Sequence, residues 1–463
     1  MLSGTECYSH INASGEHMII APSIKPSLQI LTLLLAVFFS CFPATASAAG
    51  DQDQNLSLTL EEALKLALDK NKDIQKAKEY RNLVEGRYVE ERAAALPQLT
   101  GRAGISRERD ESQAAYNQFF PVERETRNAG IGLSQVIYTF GQVDAAIRAA
   151  KIGLKTADDQ LKISQQAVIK DVSAAFYDVL LAKELYKLAQ ENLEQKKRNH
   201  EESKKKAALG VGTDFDVLVS RVAMENARPE VIRTANLIQQ SRMKFAFQMG
   251  LSSEKVDGRG ALEASIGNYP PYEESIKTAL NHRPELKEFR HRIGIAEELV
   301  KINNAYDKPR VDFKAGYGWQ DLILDNTQAD GPTWTVGLVL TYPFFDGLKA
   351  RGKVTQSKSE LASIKIEESK FIDSVILLVR DAVNKVKEAG EIVNGLTGTV
   401  NQAETLLTLA EKGFEFGVKT RLEVEDAQLN LVQVKLDLAR AKRDYLVALV
   451  NLDWTTGVLQ GPQ

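Results

Sequence analysis

The chain has 463 residues, a formal net charge of −3 and 26% charged side chains. Neither a basic excess nor basic patches interleaved with aromatics are present, which argues against a nucleic-acid partner. Its two cysteines, Cys7 and Cys41, precede a segment expected to be removed, so the mature chain has no thiol for a disulfide, zinc site or nucleophile.

The N-terminus reads as an export signal. Lys25 precedes an apolar stretch from Leu28 to Phe42, which is followed by Ala44-Thr45-Ala46-Ser47-Ala48-Ala49. These are a weakly positive start, an apolar core and an A-x-A cleavage site. Cleavage is expected after Ala48, with Ala46 the second choice and Met18 an alternative start. Acylation of Cys41 is the competing reading, and Phe38-Phe39-Ser40 before it is a poor match. No later run of about 18 apolar residues follows. If the exported chain crosses a membrane, it does so with strands.

The mature chain opens on Leu58-Thr59-Leu60-Glu61-Glu62, where Thr59 and Glu62 have the spacing of a capping box. Glu61-Glu62-Ala63-Leu64-Lys65-Leu66-Ala67-Leu68 recurs as Glu273-Glu274-Ser275-Ile276-Lys277-Thr278-Ala279-Leu280, identical at five of eight positions. Asp73-Ile74 and Glu285-Leu286 continue the match in register. The chain therefore reads as a signal over 1–48 and two structural repeats, 49–262 and 263–463. Each repeat holds a helical start, two strands and a long helical hairpin.

In each repeat the helical pattern stops at a proline, Pro97 and then Pro309. Strict alternation follows. Val311, Phe313, Ala315, Tyr317 and Trp319 fall on one face, and Asp312, Lys314, Gly316, Gly318 and Gln320 on the other. After a polar loop, Trp334, Val336, Leu338, Leu340 and Tyr342 alternate in the same way. The first repeat is weaker, with Leu99, Gly101, Ala103 and Ile105, then Ala129, Ile131 and Leu133. Such a pattern fits either a small sheet on a core or the wall of a membrane β-barrel. No other segment is left to cover the sheet, which favours the barrel. Tyr317, Trp319, Trp334 and Tyr342 are expected near strand ends, as an aromatic girdle. Four strands cannot close a barrel and open edges are forbidden in lipid, so three chains would be needed to give twelve strands.

Long helices follow each strand pair. Val172, Ala175, Val179, Ala182, Tyr186, Ala189 and Leu193 hold a three-four spacing, as does Val379, Ala382, Val386, Ala389, Val393 and onward to Ala410. After the second tip the seam resumes from Val424 through Ala441, Tyr445 and Ala448 to Leu452. The stretch Gly141–Leu209 predicts a helix of about 100 Å. Pro229 should kink the shorter helix that holds it. Two glycine-threonine turns join the helices. One contains Gly210, Gly212 and Thr213, the other Gly417 and Thr420.

In order and in duplication, these features resemble the TolC-like outer-membrane efflux family over residues 56–459. The residues that carry the resemblance are the Leu-Thr-Leu-Glu-Glu-Ala-Leu start, Leu96-Pro97-Gln98-Leu99, Tyr342-Pro343-Phe344-Phe345-Asp346-Gly347 and both tips. The resemblance implies a mixed, mainly α fold, in which a homotrimer joins a twelve-stranded β-barrel in outer-membrane lipid to a periplasmic α-barrel. It also implies a passive duct for efflux or type I secretion, working with a periplasmic adaptor (membrane-fusion) protein and an inner-membrane pump of RND or ABC type. By position, Glu423 and Asp426 match acids that line the family's narrowest point, and Asp216 and Lys419 match positions that link neighbouring tips. Val136 departs from the proline common at the strand exit.

No catalytic arrangement emerges. His200, His282 and His291 lack metal-ligand spacing, and Gly316-Tyr317-Gly318 opens no helix. Neither an enzyme activity nor a cofactor is expected.

Overall fold

The computed structural model describes residues 56–112, 123–252, 256–324 and 327–462, all within the unit Gln54–Gln463. The export signal, Met18 and both cysteines lie outside the described residues. The element order is β1 (Leu56–Leu58), α1 (Leu60–Lys70), α2 (Lys72–Ala93), β2 (Gln98–Arg109), β3 (Glu123–Tyr138), α3 (Gln142–Ala208) and α4 (Asp214–Gln248). Then come β4 (Val256–Gly258), α5 (Tyr272–His282), α6 (Pro284–Asn304), β5 (Arg310–Leu324), β6 (Thr327–Thr341), α7 (Lys349–Glu415) and α8 (Arg421–Thr456). The series of two short helices, two strands, one very long helix and one shorter helix thus occurs twice. Both very long helices have 67 residues, about 100 Å each.

The sequence starts each element with local chemistry. Thr59 and Glu62 form the reciprocal capping box of α1. Asn71 then caps α2 through its side-chain oxygen, and its Nδ2 donates to the Gln248 carbonyl at 2.6 Å. Both 67-residue helices begin after a left-handed pair, Phe140-Gly141 and Gly347-Leu348. Their first free N–H groups are met from upstream: Val143 N–H donates to Thr139 Oγ1 at 3.2 Å, and Ala350 N–H to Asp346 Oδ2 at 2.7 Å.

The four longer strands form one antiparallel sheet in the order β2–β3–β5–β6. The two repeats meet at β3–β5, where Gly130 pairs Gly318 and Gly132 pairs Gly316. A Cβ on Gly318 would lie 2.6 Å from the Ala129 carbonyl oxygen, so the strands approach there as only glycine permits. A register shift interrupts β3 between Val136 and Tyr138, at the place where Val136 departs from the family pattern. The polar loop expected after Gln320 is largely strand. Asp321 pairs Asp330 and Leu324 pairs Thr327, because ladder bonds between backbones continue where side-chain alternation fades. Tyr317, Trp319 and Trp334 consequently sit inside their strands. Of the four expected at strand ends, only Tyr342, one residue past β6, is there.

The helical seams bury the predicted residues: Val172, Ala175, Val179 and Ala182 in α3, and Val379, Ala382, Val386 and Val393 in α7. Around α3 they join Phe176, Phe245, Met249 and Val256, over which β1 pairs β4 in parallel. Around α7, Tyr445 is fully buried against Val386, and a Cβ on Gly390 would lie 3.4 Å from its ring. Helix α4 runs through Pro229 without ending, although that residue offers no N–H to the preceding turn.

Gly250 closes α4 with a φ of 77°, and a Cβ there would lie 2.8 Å from Asn71 Cα. Gly250→Ala should therefore lower the thermal midpoint, with the left-handed backbone alone costing about 1–2 kcal/mol. Gly395, inside α7 with open space around it, is the control: Gly395→Ala should leave the midpoint unchanged or raise it, since alanine favours a helix interior over glycine by about 1 kcal/mol. A calorimetric comparison of the two variants checks this.

Candidate functional site

The two hairpin tips are built alike. Gly210 and Gly417 take φ of 73° and 71°, and the next residues bond back across the last turn: Val211 N–H to the Lys206 carbonyl at 3.0 Å, Val418 N–H to that of Gly413 at 2.8 Å. Gly212 is a close approach, since its Cβ would lie 3.0 Å from the Ala207 nitrogen. Each returning helix then starts on a capping box. Thr213 Oγ1 and N–H donate to Asp216 Oδ2 at 2.7 and 3.1 Å. Thr420 Oγ1 and N–H donate to Glu423 Oε2 at 3.0 and 2.8 Å.

These contacts place the acids expected at the tip. Glu423 also receives Lys419 Nζ at 2.6 Å. That ammonium first, then the two Thr420 donors, pulls the carboxyl from an ordinary 4.5 to about 2. The Thr213 donors likewise lower the Asp216 carboxyl. Asp426 lies on the same helical face as Glu423, exposed, with no ion pair or hydrogen bond within the chain among the described residues. Lys419 and Asp216 do not meet within one chain: Lys419 holds Glu423, and Asp216 holds its own cap.

The contacts that do join the two tips were missed from sequence. Arg421 Nη2 donates to the Asn199 carbonyl at 3.4 Å, and Asn199 Nδ2 donates to Gln428 Oε1 at 3.4 Å. Lys206 Nζ stands 5.1 Å from the Phe414 ring. His200 is buried with its Nδ1 3.0 Å from Ser220 Oγ, a satisfied polar seam. The available signal was a set of polar residues at buried seam positions, His200, Ser203 and Ser220.

The sheet has two unlike faces. Leu99, Leu133, Ala315 and Val336 form one row across all four strands, and Gly101, Ile131, Tyr317 and Trp334 the next. This apolar face is bare: Trp334 is 73% and Leu338 70% exposed. It ends beyond Trp319 in a charged row, Arg127, Asp321 and Asp330, with Arg127 paired to Asp321 at 3.7 Å. At its other end Tyr138 packs on Phe140 and Tyr342 on Phe344, each at 4.8 Å between ring centres. The opposite face carries glycine, threonine and a few charges. No described helix is long and apolar enough to cross a membrane.

A bare apolar sheet face bounded by aromatics, above two capped helical hairpins about 100 Å long, defines a membrane-inserted channel subunit. The model of the outer membrane efflux protein family matches residues 63–250 and 275–458. Outer membrane efflux protein BepC of Brucella suis is 23% identical over 410 residues, covering 88% of this chain and 87% of that protein. Alkaline protease secretion protein AprF of Pseudomonas aeruginosa is 22% identical over 442 residues, covering 93% and 89%. The CmeC outer membrane channel of Campylobacter jejuni superposes with a TM-score of 0.73 at 17% identity, covering 86% of this chain and 85% of that one. The chain belongs to the outer membrane efflux protein family. Its place is the outer membrane of a Gram-negative cell, and its role is that of an efflux channel.

Because the folded carboxyl of Glu423 titrates near 2 and the free one near 4.5, its contribution to the α8 start is full above 4.5 and is lost as pH falls toward 2. Amide exchange at the first turn of α8, corrected for intrinsic rates, should rise across that window. In Glu423→Gln the first turn should exchange faster than wild type above that window and lose the step.

Proposed function

We propose that three copies of this chain close into one duct. Four strands from each would make a twelve-stranded barrel, continued by the long helices as a periplasmic α-barrel. The observation that carries this reading is the open sheet. Both outer strands, β2 and β6, lack a second partner within the chain among the described residues, and such edges are not tolerated in hydrocarbon. Pairing β6 of one copy with β2 of the next satisfies every edge, which is what closed cyclic symmetry supplies. The apolar face then meets outer-membrane lipid. Tyr317, Trp319 and Trp334 form its outer girdle, and Tyr342 with its aromatic neighbours the inner one. The eight steps from Trp334 to Tyr342 span about 26 Å along the strand, or about 20 Å once tilted. The division into repeats 49–262 and 263–463 follows the same logic, each copy supplying two strands and one hairpin.

The tips are the periplasmic gate. Three chains present rings of Glu423 and Asp426, and acidic rings favour cations. Asp426 carries most of this effect, since Lys419 offsets Glu423 within each chain. Closing a gate by linking Lys419 to Asp216 of a neighbouring hairpin requires Lys419 to exchange Glu423 for that partner. Leu209, Val211, Phe416 and Val418 stand bare at the turns, Phe416 81% exposed. Such an apolar end suits a periplasmic adaptor, which would couple the duct to an inner-membrane pump driven by ATP or by protons. Small-molecule efflux and protein secretion share this architecture, and the choice of cargo lies mostly in the pump.

Two measurements test the proposal. The purified mature protein in detergent should have the mass of three chains; a monomer would sink the barrel. In planar bilayers the wild type should conduct with cation preference, Asp426→Asn should lose most of it, and Glu423→Gln should keep most of it.

A further inference from the structure

The geometry points to a second selectivity element at the other end of the duct: a basic ring of Arg102 and Lys314 inside the barrel, which favours anionic cargo. It rests on the trimeric barrel proposed above.

Both side chains lie on the glycine-threonine face, opposite the bare apolar one. Arg102 shares its cross-strand row with Gly130, Gly318 and Thr333. Lys314 shares its row with Gln98, Ser134 and Gly337. Thr100, Gly132, Gly316 and Thr335 make the row between. None of these three rows contains a carboxylate. Both cations are exposed, and neither has an ion pair or hydrogen bond among the described residues. They line a common groove of about 500 Å³, which the glycines leave empty.

The other charges on this face are matched. Asp312 accepts from Arg310 at 2.9 Å, and Glu108 stands directly opposite Arg124. Each chain therefore adds two uncompensated positive charges, one on β2 and one on β5. In the order β2–β3–β5–β6, closure of three copies places a cation on every second strand around the wall.

Size decides whether such a ring acts on a passing solute. Twelve strands about 4.8 Å apart, tilted about 40°, enclose a backbone circle about 24 Å across. Arginine and lysine heads reaching inward lie within about 10 Å of the axis, one Debye length at 0.1 M salt. At 1 M that length falls to about 3 Å and the ring is screened. Rings of arginine and lysine are the general device of anion-selective pores. The class of ligand favoured here is an organic anion such as a carboxylate or phosphate.

The test is reversal potential across a KCl gradient near 0.1 M, with the tip acids removed by Glu423→Ala and Asp426→Ala to isolate the barrel. That background should prefer chloride, and Arg102→Gln with Lys314→Gln should abolish the preference. The charge-conserving pair Arg102→Lys with Lys314→Arg should keep it, and 1 M salt should erase it in both preferring channels. A tip-neutral channel that conducts without anion preference overturns the basic ring but leaves the duct intact. So does an unchanged preference in the glutamine variant. If no version conducts, the channel reading fails and takes the ring with it.

Discussion

Backbone edges in lipid are the constraint on which this molecule turns. A four-stranded sheet with an exposed apolar face and two unpaired outer strands is not a stable object alone in either solvent. Water penalises the bare leucines, valines and aromatics, and hydrocarbon penalises the unsatisfied N–H and C=O groups. In the proposed trimer both penalties are removed: pairing with identical copies satisfies the edges, and the closed barrel turns its apolar face to lipid. The duplication within the chain is the first half of that solution. It places β3 of one repeat beside β5 of the other through facing glycines, Gly130 and Gly318. In the proposed trimer, symmetry between chains supplies the rest.

The helical hairpins solve a different problem, which is to carry the duct well beyond the membrane without a sheet. A helix satisfies its own backbone along its length, so only its ends need outside partners. All four long-hairpin ends have them. Thr139 and Asp346 serve the N–H groups near the sheet, Gly210 and Gly417 turn the chain at the tips, and Thr213 and Thr420 restart it. The acids that complete the tip caps, Asp216 and Glu423, are thereby fixed in place and kept ionised. In the proposed gate, charge and structure therefore share the same atoms. Asp426, one turn on, is free of that double duty.

Much of this was legible in the sequence because the signals are local. The Thr59–Glu62 box, the helix stops before Pro97 and Pro309, the buried seam from Val172 to Ala189 and the alternation from Val311 to Trp319 each depend on residues close in the chain. The tip boxes Thr213-x-x-Asp216 and Thr420-x-x-Glu423 are equally visible, but reading the threonines as turn residues, Asp216 as a link between tips and Glu423 as a gate acid hides their shared role as caps. The strand from Asp321 to Leu324 was missed because its pairing with β6 is a backbone matter and its side chains no longer alternate. The Arg421–Asn199 link joins residues 222 positions apart, and the contact of Gly250 with Asn71 closes a comparable distance. Neither leaves a periodic trace.

The equal length of the two great helices follows from the same economy. Both leave the sheet after a left-handed pair and both must bring their turns to one level, where Arg421 on one hairpin reaches the Asn199 carbonyl on the other. A helix rises about 1.5 Å per residue and rotates by about 100°. One residue too many on either side would raise its tip and turn its apolar stripe away from the seam. Sixty-seven residues in each keep both height and facing in step. The seam is built mostly of alanine and valine, so helices can lie close without long side chains to absorb a mismatch. Register is thus enforced at three levels: facing glycines at the sheet, small residues along the seam, and a few polar contacts at the tips. The last of these rests on single hydrogen bonds of 3.4 Å, which is where the proposed gate would come apart most easily.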